Sequence, residues 1–186
     1  MAYDYFNIIK SIQANGPYFL CGSSIGGTIA FEIARLLISQ NEDIAFLGLL
    51  DSPASLNKER IMIPKNNQEI KNYISSLCPE MKDELERIGK RDHKAADVFY
   101  HNWIAHATSL LNYKPSPLNV KITYLMAEDK SEFLPLDLIS DWIELAKEGI
   151  EIHSIKGNHI SMHMGNSAKE IARILNNKLQ AGNLRL

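Results

Sequence analysis

Two short stretches carry residue types that could do covalent chemistry together. The first is Gly22-Ser23-Ser24-Ile25-Gly26, set between the apolar run Tyr18-Phe19-Leu20 and a helical pattern that opens at Ile25. Gly-x-Ser-x-Gly directly after a strand and directly before a helix is the pattern of a nucleophile elbow. A sharp turn there would hold its central serine in a strained conformation. Glycines at both flanks, Gly22 and Gly26, are expected to let strand and helix approach without a Cβ clash. Ser24 is therefore the expected nucleophile and Ser23 the variable position. Unpaired amides at the start of the following helix would face a developing oxyanion, with the amide of Ile25 the expected donor. A plain connecting turn and a phosphate loop are the competing readings. A Gly-x-x-x-x-Gly-Lys loop needs a lysine after its last glycine, and here Thr28 follows Gly27.

A serine hydroxyl is a poor nucleophile until a base takes its proton, and the base needs a group to orient it. The chain has six histidines. His93, His101 and His106 fall in a helical insert, and His153 alternates with apolar residues inside a strand. His159 and His163 follow Gly157-Asn158, just after the last strand. His159 is the preferred base, because the ligand crevice of an open α/β sheet lies at the carboxyl ends of its strands. For the acid, Asp51, Glu128 and Asp129 all stand at carboxyl strand ends. Asp51 follows a fully apolar strand, where a buried carboxylate would need a partner such as an imidazole N–H. A turn-capping role beside Ser52 and Pro53 stays open for it, and Asp51 is the preferred acid.

The elements that must position these residues read as an alternation. Asp4 to Gln13 has helical spacing and is stopped by Asn15-Gly16-Pro17. Tyr18 to Gly22 reads as a short buried strand and Ile25 to Ser39 as a helix with small residues on its packing side. Ile44 to Asp51 is an almost continuously apolar strand, as in a parallel sheet covered on both faces. Val120 to Asp129 and Ile150 to Ile155 are further strands, with helices at Leu136 to Lys147 and Ser167 to Leu179. This order predicts an α/β fold, a mostly parallel sheet with helices on both faces. The insert from Ser55 to Pro117 carries helical patterns at Asn67 to Leu77, Glu80 to Ile88 and Asp92 to Leu111. It is long for a connection and is expected to cover a site. Its Phe99, Tyr100 and Trp103 are expected to be core residues.

Composition excludes several classes. The 186 residues carry a formal charge of −2 with lysines and arginines scattered, so no nucleic-acid footprint is present. Two cysteines, Cys21 and Cys78, make neither a disulfide framework nor a metal pair, and a reducing, cytoplasmic setting is expected. No apolar run approaches the roughly 20 residues of a membrane span, and Met1 to Lys10 lacks the form of a signal peptide. One globular domain over 1–186 is expected.

With those residues in place, the stretch from Gly16 to Leu37 resembles the thioesterase domains of nonribosomal peptide and polyketide synthetases and the related stand-alone editing thioesterases. Gly16-Pro17-Tyr18, the run Gly22 to Gly27 and Ala30-Phe31-Glu32-Ile33-Ala34 carry the likeness, which continues through Gly48 to Ala54 and ends at Gly157-Asn158-His159. The resemblance implies an α/β-hydrolase-like fold with a helical lid at about 55–117, and a Ser24, Asp51 and His159 triad. It implies an acyl or peptidyl substrate on the phosphopantetheine arm of a carrier protein, and no cofactor of the enzyme's own. Release would be by hydrolysis or by cyclisation. A general esterase, lipase or acyltransferase, and an inactive truncated core, are the alternatives. The family has several strands before the elbow, one of which supplies a second oxyanion amide. Here the elbow begins about twenty residues from Met1. The chain is therefore expected to be a fragment of a longer protein, or to form a homodimer through the exposed edge of its elbow strand.

Overall fold

The computed structural model describes residues 1–55, 93–129 and 139–183, together with positions 66, 68–70, 72 and 87. Helix α1, Ala2–Ile12, leads into strand β1, Tyr18–Ser23, and helix α2, Ile25–Ser39. Strand β2, Ile44–Leu50, is followed by helix α3, His93–Asn112, and strand β3, Ile122–Ala127. Helix α4, Ser140–Leu145, strand β4, Ile150–Ile155, a 3₁₀ turn at Ser161–His163 and helix α5, Gly165–Asn183, complete the order. The expected helices at Asn67 to Leu77 and Glu80 to Ile88 lie mostly outside the described residues, as do Cys78 and the side chains of Phe99 and Tyr100. Trp103 on α3 is half-buried, while Ala107 and Leu110 of that helix are buried.

The four described strands pair in the order β1-β2-β3-β4, every pair parallel. Because side chains alternate along a strand, the apolar strands β2 and β3 feed two cores. Leu47 and Leu49 of β2 and Ile122 and Tyr124 of β3 join Phe31, Ala34 and Leu37 of α2 and Trp142 of α4 in one. Leu50 of β2 and Leu125 and Ala127 of β3 join Met162 and Ile171 and Ile174 of α5 in the other. Helices thus cover both faces, as the continuous apolar runs require. The Phe31 and Trp142 rings meet edge to face with centroids 4.9 Å apart.

Several boundaries differ from the sequence reading by one to four residues, and two show why. Strand β3 is shorter than Val120 to Asp129, since the Glu128 and Asp129 amides turn to the carbonyls of Ile155 and Gly157. Helix α4 stops at Leu145 because Ala146 is extended and the Lys147 amide donates to Leu118 O. Among the described residues β1 pairs with β2 alone and forms a sheet edge, with Cys21 exposed on it. Among the described residues no helix is long and apolar enough to cross a membrane.

The entry into β1 is fixed by Glu42. Its carboxylate pairs with Lys10 of α1 and accepts the Gly16 amide at 2.8 Å, while the Tyr18 hydroxyl donates to Gln13 O at 2.7 Å. The Lys10 hydrogen bond, then the Gly16 amide, hold the Glu42 carboxyl below its ordinary value of 4.5. A carboxyl depressed on folding stabilises the fold above its unfolded value, and that contribution is lost as pH falls through the folded value. Glu42→Gln is expected to lower the melting temperature near neutrality and to leave it unchanged well below pH 4.5. Thermal scans at both pH values check this; an equal loss at both would mean that the carboxylate charge is not what matters.

Candidate active site

The carboxyl ends of β1, β2 and β4 converge on the residues singled out by type. At the end of β1, Ser23 lies in register with Leu50 of β2, and the Ser24 amide donates to Leu50 O at 2.9 Å before the chain turns into α2. Ser24 has φ 53° and ψ −131°, a region that L-residues with a Cβ rarely occupy. It takes the N-cap place of α2, yet its hydroxyl makes no capping bond. That leaves the hydroxyl uncommitted to its own helix, on a turn whose first amide belongs to Ile25. A first-turn amide has no intrahelical carbonyl to bond, so it suits an oxyanion.

The glycines around the elbow do not share one role. A Cβ on Gly22 would stand 2.1 Å from Gly26 O and 2.5 Å from Gly27 N, so strand and helix touch backbone to backbone there. A Cβ on Gly27 would stand 2.0 Å from Ser52 Oγ. Gly26 faces open space, with nothing within 4 Å of a Cβ. The expectation that both motif glycines relieve a clash therefore holds for Gly22 and is corrected for Gly26, since the close approach of α2 falls at Gly27.

At the end of β2, Asp51 is 7% exposed and has φ 45°, a left-handed conformation that aspartate tolerates. One carboxylate oxygen lies 2.7 Å from His159 Nδ1 and the other accepts the Ala127 amide at 3.2 Å. The segment after it is pinned from several sides. Ser52 O accepts both the Tyr124 hydroxyl at 3.0 Å and the Trp142 indole N–H at 2.7 Å. Thr28 donates to Pro53 O at 2.5 Å, so α2 itself holds the turn. Burial, then the negative charge of Asp51, push the Tyr124 hydroxyl far up, so it stays a donor. Glu128 and Asp129, the other carboxylates at strand ends, are exposed.

His159 sits in the loop after β4, partly buried, with Nδ1 toward Asp51. With the proton on Nδ1, a neutral ring carries its lone pair on Nε2, the form a general base needs. His153 lies apart on β4, paired with Glu151 at 2.9 Å, and His101 is exposed on α3. Among the described residues the serine–imidazole hydrogen bond at the elbow joins Ser23 Oγ to His163 Nε2, 3.0 Å apart, and none joins Ser24 to His159. Partial burial, then the neighbouring His159, lower the His163 imidazole below its ordinary value, while Asp51 acts the other way. Sequence reasoning missed this pair. The available signal was a second histidine four residues after His159, one turn further along a tight loop.

A family model described as "Thioesterase domain" matches residues 1–179. Malpibaldin synthetase of Mortierella alpina is 27% identical over 187 residues, covering 97% of this chain and 3% of that protein. The chain thus spans a small part of the curated relatives it matches. Among solved structures, a four-domain nonribosomal peptide synthetase bound to AMP and glycine superimposes with a TM-score of 0.76 at 21% identity, over 95% of this chain and 15% of that one. The RedJ thioesterase of the prodiginine pathway in Streptomyces coelicolor gives a TM-score of 0.74 at 17% identity, over 95% and 69%. These likenesses share the α/β fold described above.

The glycine geometry makes a graded expectation. Gly22→Ala and Gly27→Ala should each destabilise by the upper part of the about 1–3 kcal/mol cost of overpacking or more, because backbone and a buried hydroxyl cannot yield freely. Gly26→Ala should stabilise by up to about 1 kcal/mol through helix propensity. Urea unfolding of the three variants ranks them; a Gly26→Ala loss equal to that of Gly22→Ala would contradict the packing account.

Proposed function

The chain belongs to the thioesterase domain family, and from that membership we propose that it releases acyl or peptidyl chains from the phosphopantetheine arm of a carrier protein through an ester on Ser24. The observation that carries this reading is the 2.7 Å bond between His159 Nδ1 and the buried Asp51, formed at the sheet end where the strained Ser24 stands. In the first half-reaction Ser24 Oγ bonds to the thioester carbonyl carbon as its proton passes to His159 Nε2. The Ile25 amide stabilises the oxyanion, the carbon–sulfur bond breaks, and His159 returns the proton to the leaving thiolate. In the second, water or a nucleophile within the chain attacks the ester, gives its proton to His159, and Ser24 recovers it on release. Asp51 holds the imidazole in the right tautomer and stabilises its cationic form. No cofactor enters either half. Residues 1–186 act as one domain; the expected lid at 55–117 lies partly outside the described residues. The synthetase relatives, in which this region is a small part of a long chain, support a carrier domain as the partner.

Ser24→Ala should abolish labelling by a fluorophosphonate, and His159→Ala should reduce it to background. Asp51→Asn should lower turnover by about four orders of magnitude, the loss seen when a triad acid becomes an amide. The assay offers acyl-carrier thioesters beside simple soluble esters. Equal turnover of both would favour a general esterase, and failure of the folded protein to label would favour an inactive core.

The edge that β1 forms among the described residues also supports pairing with a second copy of the chain. Light scattering is expected to find a dimer, and Cys21→Lys on that edge a monomer. A monomer at high concentration before substitution would overturn the pairing.

A further inference from the structure

We infer that His163 is a positioning residue whose bond to Ser23 clamps the loop bearing His159 onto the elbow bearing Ser24; this rests on the reading of Ser24 and His159 as nucleophile and base. The loop after β4 is an internally bonded unit. Asn158 Oδ1 accepts the amides of Ile160 at 3.0 Å and Ser161 at 2.9 Å, while Ser161 Oγ accepts the Asn158 amide at 2.8 Å. The Met162 amide reaches Asn158 O at 3.0 Å and that of His163 reaches Ile160 O at 3.1 Å. Gly157, at φ 101°, starts the unit where a Cβ would stand 2.5 Å from Ser161 Oγ.

A unit of this kind moves as a whole, so its outward ties decide where its imidazoles lie. Met162, fully buried, anchors it in the core shared with Leu125 and Ile155. His159 ties it to Asp51 at the end of β2. The bond of His163 Nε2 to Ser23 Oγ, 3.0 Å long, is the tie to β1, the strand that delivers Ser24. Without it the loop is held by the Met162 anchor, the Asp129 amide on Gly157 O and the Asp51 contact but not by β1, and His159 Nε2 is freer to shift relative to Ser24. Reaction rates are steep in that separation. His163 is exposed, yet partial desolvation and the nearby His159 disfavour its charge, and an uncharged ring does not repel the imidazolium that His159 would become during acylation.

The test is the rate of fluorophosphonate labelling, with the modified residue located by mass spectrometry, and the turnover of an acyl-carrier thioester. His163→Ala and Ser23→Ala should each slow labelling by about three- to tenfold, the worth of one neutral hydrogen bond. The double variant should be no slower than either single one, because both remove the same tie. His163→Gln, whose amide can reach Ser23, should recover most of the rate, and the losses should fall on kcat with KM unchanged. Labelling at Ser24 with unaltered rates in both single variants, or losses that simply multiply in the double variant, would overturn the clamp and leave the proposed function standing. Absence of label at Ser24 in the unaltered chain would remove that function, and the clamp with it.

Discussion

A carboxylate taken out of water must be given partners, and Asp51 is the residue around which this molecule meets that demand. It is 7% exposed, and an unpaired charge so placed would cost several kcal/mol. His159 and the Ala127 amide answer it directly. The surrounding polar groups answer it at one remove by holding the backbone after Asp51. Tyr124 from β3 and Trp142 from α4 converge on the Ser52 carbonyl, and Thr28 from α2 takes that of Pro53. Elements from both sides of β2 therefore set where one carboxylate stands, and through it which way one imidazole faces.

The elbow depends on the same close packing. Gly22 lets β1 run against the first turn of α2, and Gly27 lets that helix rest on Ser52, the residue next to Asp51. Ser24 and Asp51 are thus carried on two strands locked by backbone contact and by the bond from the Ser24 amide to Leu50 O. Strain at Ser24 persists because these contacts leave the backbone no cheaper path. His159 comes from the loop after β4, at the other edge of the described sheet, which Asn158 folds on itself.

Much of this was legible in the residue order, because helix periodicity, strand length and turn chemistry are local properties. Helix Ile25–Ser39 and strand Ile150–Ile155 have the limits that their patterns suggest, and the serine turn lies between strand and helix as expected. Boundaries moved where tertiary bonds intervened, as when Ala146 left α4 so that Lys147 could pair with Leu118. The described part of the insert, α3, also follows its pattern.

By itself the sequence determined that a serine would stand on a tight strand-to-helix turn, with carboxylates and histidines available at the ends of later strands. It favoured Asp51 over Glu128 and Asp129 for its fully apolar setting, without showing what lies across from that strand end. Only the folded chain chose which carboxylate is buried against His159, moved the tight glycine contact from Gly26 to Gly27, and brought His163 to Ser23 across 140 residues. Those outcomes depend on how loops and helices pack over the sheet, a relation between distant segments that no local pattern encodes.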